Sequence, residues 1–299
     1  MIQVTDLSKS FDGFLALDHT DMHVPKGSVY GLVGPNGAGK STIIRHLTGI
    51  YKPDSGSIMI DGMPVYNNPA VKERIIYIPD ELFYFAQANT ETMRNYYRKI
   101  YQGFDDEKFE TLRPLFPAVD TRRPIRKLSK GMQKQVIFWI SLCCRPDLLI
   151  LDEPVDGLDP LMRRQIWSLI MSETSEREMT VLISSHNLRE LEDVCDHVGI
   201  MHKGKLLLEQ SLESLQEGFS KVQIAFADGL PKMPPDIEVL HQSSVGRVHS
   251  LIVKGRPEVC RVRFERMNPL LLDLLPLSLE EIFIYELGGV DGAFKNILL

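Results

Sequence analysis

The segment Tyr30-Gly31-Leu32-Val33-Gly34-Pro35-Asn36-Gly37-Ala38-Gly39-Lys40-Ser41-Thr42 constrains this chain more than any other. An apolar strand runs into the pattern G-x-x-x-x-G-K-S and then into an expected helix over Thr42–Gly49. Glycines at 34, 37 and 39 let successive backbone N–H groups turn toward a triphosphate docked at the positive end of that helix. Lys40 is then placed to reach the β- and γ-phosphates, and the Ser41 hydroxyl to ligate magnesium. Four specified positions would arise by chance in only about one chain in a hundred of this length. The segment therefore predicts a nucleotide-binding α/β protein, with Gly34, Asn36, Gly37, Ala38, Gly39, Lys40, Ser41 and Thr42 at the phosphates.

Further along, Asp147-Leu148-Leu149-Ile150-Leu151-Asp152-Glu153-Pro154 is an apolar run closed by two carboxylates. It reads as a buried parallel strand that delivers acids at its C-terminal end. Beside a phosphate loop, Asp152 would hold magnesium and Glu153 would polarise the attacking water as general base. Each role needs a carboxylate.

Composition sets the background. At 299 residues, 43% of them hydrophobic, the chain can bury a full core and divide into a large and a small domain. No apolar run approaches the roughly 18 to 20 residues needed to cross a bilayer. The start, Met1-Ile2-Gln3-Val4-Thr5-Asp6, lacks the basic and then apolar character of a secretory signal, so a cytoplasmic chain is expected. Cys143, Cys144, Cys195 and Cys260 show no metal-ligand spacing and read as reduced, mostly buried thiols. A formal charge of −6 and a pI near 5.8 argue against a nucleic-acid partner. The local basic cluster of Arg122, Arg123, Arg126, Lys127 and Lys130 reads as a solvated or phosphate-facing element.

Between the loop and the acids lies Arg126-Lys127-Leu128-Ser129-Lys130-Gly131-Met132-Gln133-Lys134-Gln135, followed by a helix with apolar positions at Val136, Ile137, Trp139, Ile140 and Leu142. This segment resembles the signature L-S-G-G-Q of the ABC ATPase family. Leu128, Ser129 and Gly131 match, while Lys130 and Met132 replace a glycine and the glutamine, as in exporter-type ABC ATPases of the bacitracin and acetoin-utilisation kind. Other family elements follow in order. Val155-Asp156-Gly157-Leu158-Asp159-Pro160 resembles the D-loop, with Asp159 at the nucleotide. The strand Thr180–Ser185 ends at His186, which resembles the switch histidine at the γ-phosphate. Phe11 stands where the family places an aromatic that stacks on adenine. After Ile75-Ile76-Tyr77-Ile78-Pro79, Asp80 occupies the position of the family's magnesium-reaching glutamine.

The resemblance covers residues 1 to about 215 and implies a P-loop ABC-type ATPase fold. It implies an antiparallel β subdomain (Ile2–Phe11, Ala16–Val24, Ser57–Ile60) and a helical insert over about 86–145. It also implies ATP and Mg2+ as cofactors, a transmembrane permease as partner, and a second ATPase subunit, identical or not. Ser129 and Gly131 of each subunit would then complete the other's site. The chain would sit on the inner face of the membrane through its permease. Its implied function is ATP hydrolysis that energises a transporter, with export favoured by the signature variant. The alternatives are a soluble ABC-type ATPase acting on ribosomes or DNA, or a nucleotide-dependent regulator with low turnover. The short stretch between Ser41 and Leu128 leaves no room for the long coiled coil of the chromosome type.

From residue 216 to 299 the composition changes to a small α+β appendage. Lys221–Ala227, Ile237–Gln242 and His249–Lys254 read as strands between turn residues. A helix over Ser278–Leu287 would be entered through a Ser-x-x-Glu capping box.

Overall fold

The computed structural model describes residues 1–154, 157–227 and 229–282. Their elements run β1 (Ile2–Phe11), β2 (Phe14–Val24), β3 (Val29–Val33), α1 (Lys40–Leu47), β4 (Ser55–Ile60), β5 (Met63–Pro64), α2 (Pro69–Lys72) and β6 (Ile75–Ile78). Then come α3 (Thr90–Ile100), α4 (Asp106–Leu112), α5 (Lys130–Cys143), β7 (Leu148–Asp152), α6 (Pro160–Arg177), β8 (Thr180–Ser185) and α7 (Arg189–Glu192). The chain continues through β9 (His197–His202), β10 (Lys205–Ser211), α8 (Leu212–Glu217), β11 (Phe219–Ala225), β12 (Val239–Val245), β13 (Val248–Lys254), α9 (Pro257–Glu265) and β14 (Leu271–Leu275). Two compact units result: residues 1–186 with 194–209, and residues 187–193 with 210–299.

In the first unit a six-stranded sheet has the order β10-β9-β3-β8-β7-β6. Strands β3, β6, β7, β8 and β9 pair in parallel. The residues of β3 and β7 are all buried, as a strand covered on both faces requires, and this is why they read as unbroken apolar runs. A second, antiparallel sheet has the order β2-β1-β4-β5. Its inward side chains, among them Val4, Leu17 and Ile58, pack with Ile43, Ile44 and Leu47 of α1 and with Leu32, Ile150 and Leu182 of the parallel strands. Each such side chain contributes about 1.5–3 kcal/mol by leaving water. Helix α1 starts at Lys40, not at Thr42, because its first turn is seeded by the phosphate loop itself. It stops at Leu47, since Gly49 takes a left-handed φ of 64°.

Helices α3, α4 and α5 form the insert. Ser129 caps α5 by accepting a hydrogen bond from the Met132 N–H, and Asn89 and Asp105 cap α3 and α4 in the same way. At the centre of the insert Trp139 is fully buried. It stacks on Phe109 at 4.3 Å and on Phe116 at 5.5 Å, and its Nε1–H donates to the Phe109 carbonyl at 2.9 Å. Trp139→Ala is expected to cost about 3–5 kcal/mol of stability, read as a lowered midpoint in urea. A shift below about 1 kcal/mol would show that the insert repacks around the gap.

The second unit carries an antiparallel sheet of order β12-β13-β11-β14. Val222, Ile224, Leu251 and Val253 from that sheet share a core with Cys260 and Phe264 of α9. Strand β11 begins two residues before the expected Lys221, β12 is displaced toward the turn at Gly246, and β13 gains Val248. Helix α9 and strand β14 were not expected. The run Leu270-Leu271-Leu272-Asp273-Leu274-Leu275 has no strict alternation, and its leucines carry strand structure only because β11 supplies a pairing edge. The capping box at Ser278 is present, with the Glu281 N–H donating to Ser278 Oγ at 3.2 Å and the Ser278 N–H to Glu281 Oε2 at 3.1 Å. The rest of the expected helix, from Phe283 on, lies outside the described residues.

Candidate active site

Strands β3, β8 and β7 are neighbours in the sheet, and each releases a site element at its C-terminal end. The phosphate loop follows β3, His186 follows β8, and Asp152 and Glu153 close β7. A cavity of about 340 Å³ opens there, within the usual range of ligand pockets. Pro35 through Thr42 line it, with Asp80, Asp152, Glu153, Ala16 and Phe14.

Gly39 is the N-cap of α1 at φ 110°, a left-handed conformation open to glycine, and no side chain caps the helix. Its first N–H groups are therefore left for an anion. A Cβ on Gly34 would stand 2.3 Å from the Met201 carbonyl, so only glycine lets the loop leave β3 against β9. Lys40 is 6% exposed. Its Nζ donates to the Gly34 carbonyl at 2.5 Å and lies 3.8 Å from Glu153 Oε1. Burial lowers its pKa, opposed by the charges of Glu153 and Asp152.

Asp152 accepts hydrogen bonds from Ser184 Oγ on β8 and, at 3.3 Å, from the Tyr77 hydroxyl on β6. The Glu153 backbone sits at φ 47°, a strained conformation for a residue with a side chain. Three contacts hold it. Its N–H donates to the Ser184 carbonyl at 3.2 Å, its own carbonyl accepts from Lys134 Nζ at 3.0 Å, and its Oε2 lies 2.9 Å from His186 Nδ1. Burial raises the Glu153 pKa, partly opposed by His186 and Lys40. The group is thereby moved toward the pH at which a general base works best.

The hydroxyl of Ser41 and the carboxylates of Asp152 and Asp80 present hard oxygen donors to one cavity, and this donor set fits magnesium. Among the described residues no three His, Cys, Asp or Glu side chains form a preformed cage. A magnesium ion held by one or two protein oxygens together with substrate phosphates does not require one. Asp80 is half exposed and lies 3.9 Å from Lys134 Nζ. Asp80→Gln is expected to shift the magnesium dependence of hydrolysis more than ATP affinity. Superimposable magnesium titrations would reject that expectation.

Phe11, Gly34, Ser129, Gly131, Asp159 and His186 are not among the residues lining the cavity, though His186 contacts its wall at Glu153. The two-residue turn Asp12-Gly13 sets Phe11 opposite Phe14 across the hairpin, and Phe11 packs on Tyr51 at 5.3 Å. The aromatic that lines the cavity is Phe14, 68% exposed. Asp159 caps α6, accepting from the N–H groups of Leu161 at 3.1 Å and Met162 at 3.0 Å. Gly131 is placed close to the Gly157 carbonyl, where a Cβ would stand at 2.7 Å. Sequence reasoning missed Phe14, Tyr77, Lys134 and Ser184. Ser184 had a visible signal, as one of three hydroxyl residues in a fully buried strand.

A phosphate loop, an acid pair and a strand-end histidine on adjoining parallel strands define a P-loop ATPase. The ABC transporter family pattern matches residues 17–156. The chain is 32% identical over 291 residues to the ABC transporter ATP-binding protein YtrB of Bacillus subtilis (strain 168), covering 97% of this chain and 99% of that one. It is 33% identical over 300 residues to the bacitracin transport ATP-binding protein BcrA of Bacillus licheniformis, covering 97% and 98%. The solved structure of an ATP-binding subunit of an ABC transporter superimposes with a TM-score of 0.66 at 27% identity, over 72% of this chain and 92% of that one. The chain therefore belongs to the ATP-binding proteins of ABC transporters, and it is an ATP-hydrolysing enzyme of that family.

Proposed function

We propose that this chain energises an export transporter, as one of two ATPase subunits that close around two nucleotides. The observation that carries the reading is the convergence of Lys40, Asp152 and Glu153 on one cavity, with His186 held against Glu153, at the ends of three adjoining strands. The loop N–H groups and Lys40 would bind the triphosphate, Lys40 exchanging the Gly34 carbonyl for phosphate oxygens. Ser41 and Asp152, with Asp80 alongside, would hold magnesium, which supplies charge neutralisation on the phosphates. Glu153 would accept the proton of the attacking water, with His186 orienting its carboxylate and reaching the γ-phosphate. Phe14, opposite Phe11, offers a ring to the base.

Ser129, Gly131 and Asp159 lie away from this cavity, which supports their assignment to the nucleotide held by a second subunit. Such a head-to-tail pair is two-fold when the subunits are identical. The ATPase domain is assigned to residues 1–215 and the accessory domain to 216–299. A membrane partner is supported by a separate groove in the first unit, lined by Tyr77, Pro79, Phe83, Phe85, Tyr96 and Tyr97. Phe83 is 72% exposed there, an unusual placement for so large an apolar ring. Among the described residues no helix is long and apolar enough to cross a membrane, so association with the inner face of the membrane would run through that permease. Export is supported by the Lys130 and Met132 signature and by similarity to a bacitracin transport ATP-binding protein.

The test is affinity capture from native cells in mild detergent with ATP and Glu153→Gln. Co-purification of a polytopic membrane protein supports the reading, whereas ribosomes or DNA would replace it with a soluble ABC-type ATPase.

A further inference from the structure

Lys134 lies on the second turn of α5, past the signature, and its side chain is 8% exposed. A lysine this buried is costly unless its ammonium is well partnered. Its Nζ donates to the Glu153 carbonyl at 3.0 Å and lies 3.9 Å from Asp80 Oδ1. It thus touches the backbone of the general base and the unusual acid on the cavity wall.

We propose that Lys134 is a positioning residue for hydrolysis, which fixes the strained backbone of Glu153 and offsets the charge that Asp80 brings beside the triphosphate. The inference rests on Glu153 being the general base. The Glu153 N–H is tied to β8 through the Ser184 carbonyl, and the Glu153 carbonyl is tied to α5 through Lys134. With both backbone groups held, the φ of 47° is over-determined and the carboxylate stays directed at His186 and Lys40. Without the ammonium, the carbonyl loses its partner and Glu153 can relax toward an unstrained backbone, carrying its carboxylate away from the attacking water. Asp80 would then repel the phosphates without a cation beside it. An amide at 80 would not need the lysine, so the two residues form one electrostatic unit.

The experiment compares Lys134→Met, which keeps the apolar stem, with Lys134→Gln, which keeps a donor, each alone and combined with Asp80→Gln. In Lys134→Met, kcat is expected to fall by about 10²-fold, as for a misplaced catalytic group, with KM for MgATP within about threefold. Lys134→Gln is expected to recover part of that loss. A second readout is binding of a fluorescent ATP analogue in EDTA, where no metal screens Asp80. There Lys134→Met is expected to weaken affinity about tenfold, and Asp80→Gln in the same chain to restore it. Turnover within about twofold of the unaltered chain, or losses in kcat and KM that track a lowered Tm in both Lys134 variants, would overturn the proposal. Should Lys134→Met fail to fold, Lys134→Gln alone decides, by the same split between kcat and KM. Glu153→Gln is run beside them: if it still turns over while the Lys134 variants are impaired, the assignment of the base has failed and not the placement of Lys134.

Discussion

Replacing Glu153 by glutamine lowers the turnover of ATP by about 10²- to 10⁴-fold, while ATP affinity stays within about threefold of the unaltered chain. The amide occupies the same volume and keeps the backbone contacts to Ser184 and Lys134, so the cavity survives. What it loses is the ability to accept a proton. Nucleotide then remains bound in the closed pair, and the variant elutes as an ATP-dependent dimer while the unaltered chain does not persist as one. Phosphate release in single and multiple turnover, with size-exclusion chromatography in ATP, measures both effects. A variant that hydrolyses at the original rate would remove Glu153 from the mechanism. The same residue is expected to set the acid limb of the pH profile. Because burial raises its pKa, the base is protonated, and activity falls, at a pH above the ordinary carboxylate range. An acid limb at the ordinary value would mean that the carboxylate is better solvated when ATP is bound.

Lys40→Met removes nucleotide binding, with an expected loss of at least about 10²-fold in affinity. The side chain is buried, and its ammonium is held by the Gly34 carbonyl and the Glu153 carboxylate. Methionine fills the same channel without a charge, so the loop keeps its shape and the loss reads the ammonium itself. The effect on stability has the opposite sign from the effect on binding. Burial already works against the lysine's charge, and a neutral side chain is expected to leave Tm unchanged or slightly raised. Titration with a fluorescent ATP analogue, together with a melting curve, separates the two. Unaltered affinity would show that the loop N–H groups suffice to hold the phosphates.

Much of the first unit was legible because its strands are buried on both faces, which turns β3, β7 and β8 into compact apolar runs with a functional residue just past each end. The loop, the acid pair and His186 could be found from residue order alone. Their partners could not. Ser184 meets Asp152 only because β8 lies beside β7, Tyr77 meets it from β6 on the other side, and Lys134 arrives from a helix between β6 and β7 in sequence. These pairings belong to strand order, which no local spacing encodes. That Phe14 lines the cavity was not legible for a smaller reason. A two-residue turn sets Phe11 and Phe14 face to face, and sequence alone does not say which ring Tyr51 will claim. In the second unit, the leucine-rich β14 has helix-favouring residues and became a strand only through its pairing with β11.

The position of β8 also orders events in time. Within its sheet β3 has just two neighbours, β8 and β9, and both are made more than a hundred residues after it. A nascent chain that has emerged only as far as α6 therefore carries the phosphate loop on a strand with no partner on either side. The central strand must be inserted between two older ones before any of the catalytic groups face each other. Such late, long-range pairing is slow and leaves apolar edges exposed while it waits. The nucleotide site is not complete before residue 185 has emerged, so ATP as a ligand can add stability only in the last part of synthesis.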